Sequence, residues 1–151
     1  MLRYKLLDEA QALRTKLESR LRVEEPKEGP RGLVLIGLSA MDGASLWYIK
    51  GSSLHGAALR AAGALNAVVD EKGGAPSMSV EELLEVDPDM IITMVSQAEL
   101  SEADREAHIA RLSRIETLSA VKSRKLGFVV GEHCMSTGPS ILKLADDLQA
   151  E

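Results

Sequence analysis

Ser79-Val-Glu-Glu-Leu-Leu-Glu-Val-Asp-Pro-Asp-Met-Ile-Ile-Thr-Met-Val, residues 79–95, passes from a helix to a strand in one short stretch. Ser79 and Glu82 have the spacing of a capping box. The hydroxyl accepts from the backbone N–H three residues on, and the Glu82 carboxylate reaches back to the N–H of the cap. Glu81 is left out of that cap. The helix predicted over Val80–Val86 stops at Asp87, because the residue before Pro88 is pushed out of the helical region, and turn chemistry accounts for Val86-Asp-Pro-Asp-Met. Met90-Ile-Ile-Thr-Met-Val then runs apolar without alternation, as a strand covered on both faces does.

Outward from this stretch the same units recur. Leu33-Val-Leu-Ile-Gly-Leu and Leu126-Gly-Phe-Val-Val are further buried-strand runs, and Leu46-Trp-Tyr-Ile is a weaker fourth. Helical patterns over Leu54–Ala62, Glu102–Leu112 and Ser140–Ala150 lie between them, and Ser101-Glu-Ala-Asp repeats the capping spacing with a shorter acid. Strand alternating with helix predicts an α/β fold: a three-layer, Rossmann-like lobe with a mostly parallel sheet and right-handed crossovers. The strands at 33–38, 90–95 and 126–130 are expected to be its central ones. Upstream, Leu6, Ala10, Leu13, Leu17 and Leu21 recur at steps of three and four. Residues 1–23 therefore read as one long N-terminal amphipathic helix, about 30 Å in length, with Leu6, Leu13, Leu17 and Leu21 packing on the lobe or on a partner. The prolines and glycine of 24–31 make a linker, leaving 32–151 as the lobe.

Composition narrows the function. The chain has 151 residues, 45% hydrophobic and 27% charged, with a net charge of −5, the profile of one globular domain able to bury a core unaided. Residues 1–31 hold 8 basic and 6 acidic side chains, leaving 10 and 17, a net −7, for the lobe. An acidic surface argues against nucleic acid and anionic lipid as partners, and no membrane insertion is expected. The four aromatic residues, Tyr4, Trp47, Tyr48 and Phe128, are too few for a stacking platform. Cys134, the single cysteine, has no disulfide partner in the chain. The start, Met1-Leu-Arg-Tyr-Lys-Leu-Leu-Asp-Glu, lacks the apolar stretch of a signal peptide, so the chain as supplied is expected in the cytoplasm.

Two stretches carry chemistry. Tyr48-Ile-Lys-Gly-Ser-Ser-Leu-His places a glycine and two hydroxyls where a strand gives way to a helix, the rim at which open α/β sheets hold ligands. Helix capping accounts for Ser52 and Ser53, and His55 in the first turn is solvated, capping or a ligand. No phosphate-binding glycine fingerprint can be written. Gly131-Glu-His-Cys-Met-Ser-Thr-Gly-Pro-Ser follows the last strand with adjoining imidazole, thiol and thioether, each able to meet a transition metal or haem iron. Read as a strand, adjacent residues face opposite sides, so the three do not converge. Cys134 and Met135 then belong to the core and His133 to the surface. No second cluster of cysteines or histidines makes a closed zinc site. His108, among Arg105, Glu106 and Arg111, reads as a surface residue. Neither a nucleophile elbow nor a carboxylate pair is present, so no enzyme is expected and no intrinsic cofactor is assigned.

Several segments, in order, resemble the C-terminal half of the binding proteins that deliver iron–siderophores, haem or cobalamin to ABC importers. Tyr48-Ile-Lys-Gly-Ser-Ser with Leu59-Arg-Ala-Ala-Gly-Ala-Leu-Asn-Ala-Val is similar to that family's strand, glycine turn and helix end. Residues 79–92 resemble its most specific stretch, residues 118–130 its last strand approach and residues 138–148 its closing helix, with Ser140 where many relatives carry arginine. The helix over Leu2–Arg22 is similar to the C-terminal part of its interlobe helix. The resemblance implies a chelate-binding lobe without its N-terminal lobe, working with importer membrane subunits in the periplasm or outside the cell. It also implies that an acidic residue of the helix start, Glu81, docks to those subunits. Ligand contacts are then expected from Trp47, Tyr48, Ser52, Ser53 and His55 and from Glu132, His133 and Met135. His133 is the candidate for meeting the metal, oriented by Glu132. The alternative is a free-standing lobe whose cleft face has become a homodimer surface without a small ligand. A nucleotide-dependent enzyme rests on fold analogy alone.

Overall fold

The structure, a computed structural model, describes residues 2–22, 27–38, 45–69, 76–135 and 141–150. Its centre is a parallel sheet in the order β3-β1-β5-β6, made of Arg31–Ile36 (β1), Leu65–Asn66 (β3), Met90–Val95 (β5) and Leu126–Val130 (β6). Gly32–Ile36 run in register with Met90–Met94, and Ile91–Val95 with Leu126–Val130. β1 and β5 are therefore central. β6 was expected beside them and instead forms one edge, since helices covering both faces give edge and central strands the same unbroken apolar composition. Leu46–Trp47 (β2) pairs antiparallel with Ser77–Met78 (β4) in a separate small sheet, so the fourth run is no member of the parallel set. Tyr48 then bridges Leu35 antiparallel, and Leu65–Asn66, which sequence did not mark as a strand, fills the remaining edge position along Arg31–Gly32.

Side chains alternate across the sheet with the period of two that strands impose. Val34, Ile92, Met94 and Val129 face a layer built from Leu54–Ala61 (α2), Ile141–Ala150 (α6) and the end of Leu2–Leu21 (α1). Leu33, Leu35 and Ile91 face Val80–Val86 (α3), Glu102–Ser113 (α4) and Ser119–Lys122 (α5). Leu33, Leu35 and Ile91 have no exposed surface, and full burial of such a side chain is worth about 2 kcal/mol. α1 is one helix, as its periodicity requires, but only Leu17 and Leu21 pack on the lobe. Leu6 and Leu13 are 60% and 38% exposed, because the first half of α1 has no neighbour among the described residues. Arg20 pairs with Asp146 of α6 and fixes the packed end.

The amino ends of the strands are held by a polar clamp. The Arg31 guanidinium donates to the carbonyl of Val86 at 2.7 Å and, more distantly, to those of Asp87 and Ala67, while the Arg31 N–H donates to Asp89 Oδ2 at 2.8 Å. Asp87 caps α3 in the left-handed conformation, φ 41°, and its carboxylate accepts from the Ser119 N–H at 2.7 Å and hydroxyl at 2.8 Å. The Ser119 N–H, then its hydroxyl, hold Asp87 below the usual carboxylate range. The Asp-Pro-Asp turn thus ties α3, α5 and β1 together, which is more than the turn chemistry read from sequence.

His108 is the plainest correction. It is 1% exposed, with Nε2 2.9 Å from Thr93 Oγ1 and the ring edge-on to Phe128 at 5.5 Å. Thr93 is the polar position of β5 facing α4, and a histidine one turn before Leu112 meets it. Burial, and then Arg111, push the imidazole below its usual range against the favourable Leu38 main chain, so the ring is neutral.

Candidate ligand-binding rim

Where β1, β5 and β6 end, the chain turns sharply. Gly37, at φ 78°, donates its N–H to Met94 O at 2.8 Å, and Gly131 donates to Val95 O at 3.0 Å. Between the first two strand ends lies a hollow of about 310 Å³ lined by Ile36, Gly37, Leu38, Met94, Val95, Ser96 and Gln97. Ser96 and Gln97 are exposed there. Sequence reasoning passed over them, although the rule that placed ligands at carboxyl ends of strands applies to β1 and β5 before any other. A second hollow of about 310 Å³, lined by Pro30, Met90–Ile92 and Arg124–Gly127, lies at the opposite, amino end of the sheet.

Residues Glu132–Met135 form one turn of 3₁₀ helix, so the strand alternation invoked for them does not apply. His133 is half-buried rather than on the surface: its side chain is 12% exposed and Nε2 lies 2.6 Å from Asp147 Oδ2 of α6. Asp147, not the exposed Glu132, orients the ring. The other ring nitrogen, Nδ1, faces Gly131, where a Cβ would fall 2.5 Å from it. Gly131 also has φ 152°, so only glycine lets the ring lie so close. Cys134 is fully buried, its Sγ 3.4 Å from Val129 O. Burial first, and the charge of Asp147 second, push the thiol up, which keeps it a protonated core group rather than a thiolate ligand. The Met135 side chain, and residues 136–140, lie outside the described residues.

The two stretches singled out from sequence meet at one point. His55 Nε2 lies 2.8 Å from Cys134 O, and because a carbonyl only accepts, that nitrogen carries the proton. Ser53 is the N-cap of α2: its hydroxyl donates to Lys50 O at 2.6 Å and accepts from Gly56 N at 3.0 Å, which uses both capacities. Ser52 is exposed. Trp47 is 47% exposed, while Tyr48 is 6% exposed and packs in the opposite layer with Leu35 and Met78. Glu81 is exposed in the first turn of α3. Its own N–H first, then the Ser79 hydroxyl, hold its carboxyl below the usual range against Glu82. The Ser79–Glu82 box forms as read, but Glu81 shares in the cap. Among the described residues, no group of three or more histidine, cysteine or acidic side chains is placed to hold a metal ion, and no helix is long and apolar enough to cross a membrane.

No known family model and no curated protein matches the sequence. The fold does match solved structures. An ABC transporter substrate-binding protein from Listeria monocytogenes superposes with a TM-score of 0.66 at 16% identity, over 97% of this chain and 55% of its own. An ABC-type Fe3+-hydroxamate transport protein from Saccharomonospora viridis gives 0.65 at 15% identity, over 93% and 46%. The IsdE protein of S. aureus, solved with heme, gives 0.59 at 18% identity, over 98% and 57%. The chain spans about half the length of these structures. Its neighbours in fold also include a periplasmic vitamin B12 binding protein and a periplasmic catecholate-siderophore binding protein, both of Vibrio cholerae.

Proposed function

We propose that this α/β unit, built like half of those binding proteins, holds one side of a metal chelate for an ABC importer: a ferric siderophore, haem or cobalamin. The observation that carries the reading is the rim itself, a hollow with exposed polar groups at the carboxyl ends of the two central strands in a fold shared with chelate-binding proteins. No bond is made or broken, and the chelate is cargo. Trp47, Ser52 and His55, together with the adjoining Glu132 and His133, supply its contacts, with Ser96 and Gln97 at the hollow itself; Ser53 serves as the cap of α2. Tyr48, being buried, supports Trp47 rather than touching cargo. His133, held by Asp147 through Nε2, meets the chelator by its exposed edge, or its metal through Nδ1 once the ring turns from Gly131. One imidazole fills only part of a coordination shell, so a second unit completes the site and the affinity of this chain alone is weak. Glu81 docks to the importer's membrane subunits, in the periplasm or outside the cell.

Absorbance titration with haem, cobalamin and a ferric siderophore tests the reading, on the chain alone and with the N-terminal half of one of the solved neighbours supplied. Binding weakened by His133→Ala supports it. Equal binding by wild type and variant overturns the role of His133, and no binding of any chelate in either format overturns the reading.

A further inference from the structure

We propose that the outer edge of β6 is a self-pairing surface, on which a second copy of this chain lays its own β6 antiparallel about a twofold axis through Phe128.

The hydrogen bonds to β5 fix which way each residue of β6 faces. Lys125 O accepts from Ile91 N and Gly131 N donates to Val95 O, both at 3.0 Å. In a parallel ladder alternate residues turn to the same neighbour, so Lys125, Gly127, Val129 and Gly131 are spent on β5. Leu126, Phe128 and Val130 direct both their N–H and C=O groups away from it. β6 ends the sheet, and among the described residues none of these six groups has a hydrogen-bond partner. An unpaired edge is usually protected by an internal charge, a proline or a bulge. Leu126-Gly-Phe-Val-Val carries no charge or proline, and its register with β5 is unbroken.

Charge at the two ends selects the partner and its direction. Arg124 and Lys125 are exposed before the strand and Glu132 is exposed after it. A parallel second copy would bring like charges together. An antiparallel one centred on Phe128 sets Leu126 opposite Val130, twice, and Phe128 opposite its own equivalent, and it brings the Arg124–Lys125 end of each strand to the Glu132 end of the other. The outward groups of 126, 128 and 130 then form hydrogen-bonded pairs, while Gly127, lacking a side chain, lies opposite Val129 between them. On a lobe of net −7, this edge is where a second acidic copy finds complementary charge. The strand edge lies outside the residues that line the rim hollow, and Glu132 is the one residue shared with the proposed chelate contacts.

Sedimentation and light scattering of the 151-residue chain over a dilution series test it, together with amide exchange. The expected result is a concentration-dependent dimer in which the amides of Leu126, Phe128 and Val130 exchange slowly only where the dimer is populated. Arg124→Glu and Glu132→Arg should each weaken the dimer about tenfold, and the double variant should restore it. Val130→Pro removes an outward N–H without touching the β5 ladder and should also weaken it about tenfold or more. If that variant misfolds by circular dichroism, the charge pair decides. A mass of one chain at every concentration overturns the proposal. So does a dimer that neither charge reversal alters, or one that leaves the three amides unprotected.

Discussion

The two ends of the central sheet treat their polar groups in opposite ways. At the amino end, Arg31, Asp87, Asp89 and Ser119 satisfy one another and the end of α3. At the carboxyl end, Ser96 and Gln97 stand exposed beside a hollow, and His133 is fixed by one carboxylate while its other nitrogen lies against Gly131. Both ends are made of the same strands under the same helices, so the strands themselves do not set the difference. The amino end closes its polar groups on one another, even beside a hollow of similar size, while the carboxyl end leaves Ser96 and Gln97 open.

Arg31→Ala should break the closed end. With the Val86 carbonyl left unmet, urea unfolding should show a loss of about 2–3 kcal/mol, and chelate binding by the folded protein should be unchanged. A loss no larger than that of an ordinary surface residue would erase the contrast. Gly131→Ala should strain the open end, since the added Cβ meets the His133 ring at a φ that disfavours side chains. Here a loss of about 1–2 kcal/mol is expected, together with altered binding, which Arg31→Ala does not produce.

His133→Ala should cost less, under about 1 kcal/mol of stability for a partly exposed pair, yet remove most chelate affinity. If it destabilises more than Arg31→Ala, the rim is structural and the comparison fails. The smallest effects are in pH. His108 has its proton affinity lowered by folding, so the unfolded chain binds the proton more readily. Stability from this group is whole above its usual value of 6.5 and falls as pH drops through that value. Asp87 is lowered too, and its contribution is present above the ordinary carboxylate range and lost as pH falls through its depressed value in the folded protein. Denaturation midpoints against pH should show both steps, His108→Gln removing the upper and Asp87→Asn the lower.

Local chemistry made much of this legible. The Ser79–Glu82 cap, the stop at Asp87 and the three apolar runs each depend on neighbours in sequence, and they yielded the helices and main strands to within a few residues. Leu65–Asn66 was not legible, because two residues carry no period. The edge position of β6 was not either, since it is a property of strand order rather than composition. His108 was misread by its polar neighbours: most of α4 is indeed exposed, and the partners that show its buried face, Thr93 and Phe128, are fifteen or more positions away. In the site, the nearness of His55 to the Cys134 turn and of Asp147 to His133 arises from packing of α2 and α6 alone. Ser96 and Gln97 could have been found from the ends of the strands.

Asp146 and Asp147 are consecutive on α6, and they hold two different things. Asp146 grips Arg20 near the end of α1, and Asp147 grips the imidazole of the rim. α6 is therefore a shared post: one residue of it carries the contact that seats the end of α1, and the next carries the contact that seats the His133 ring.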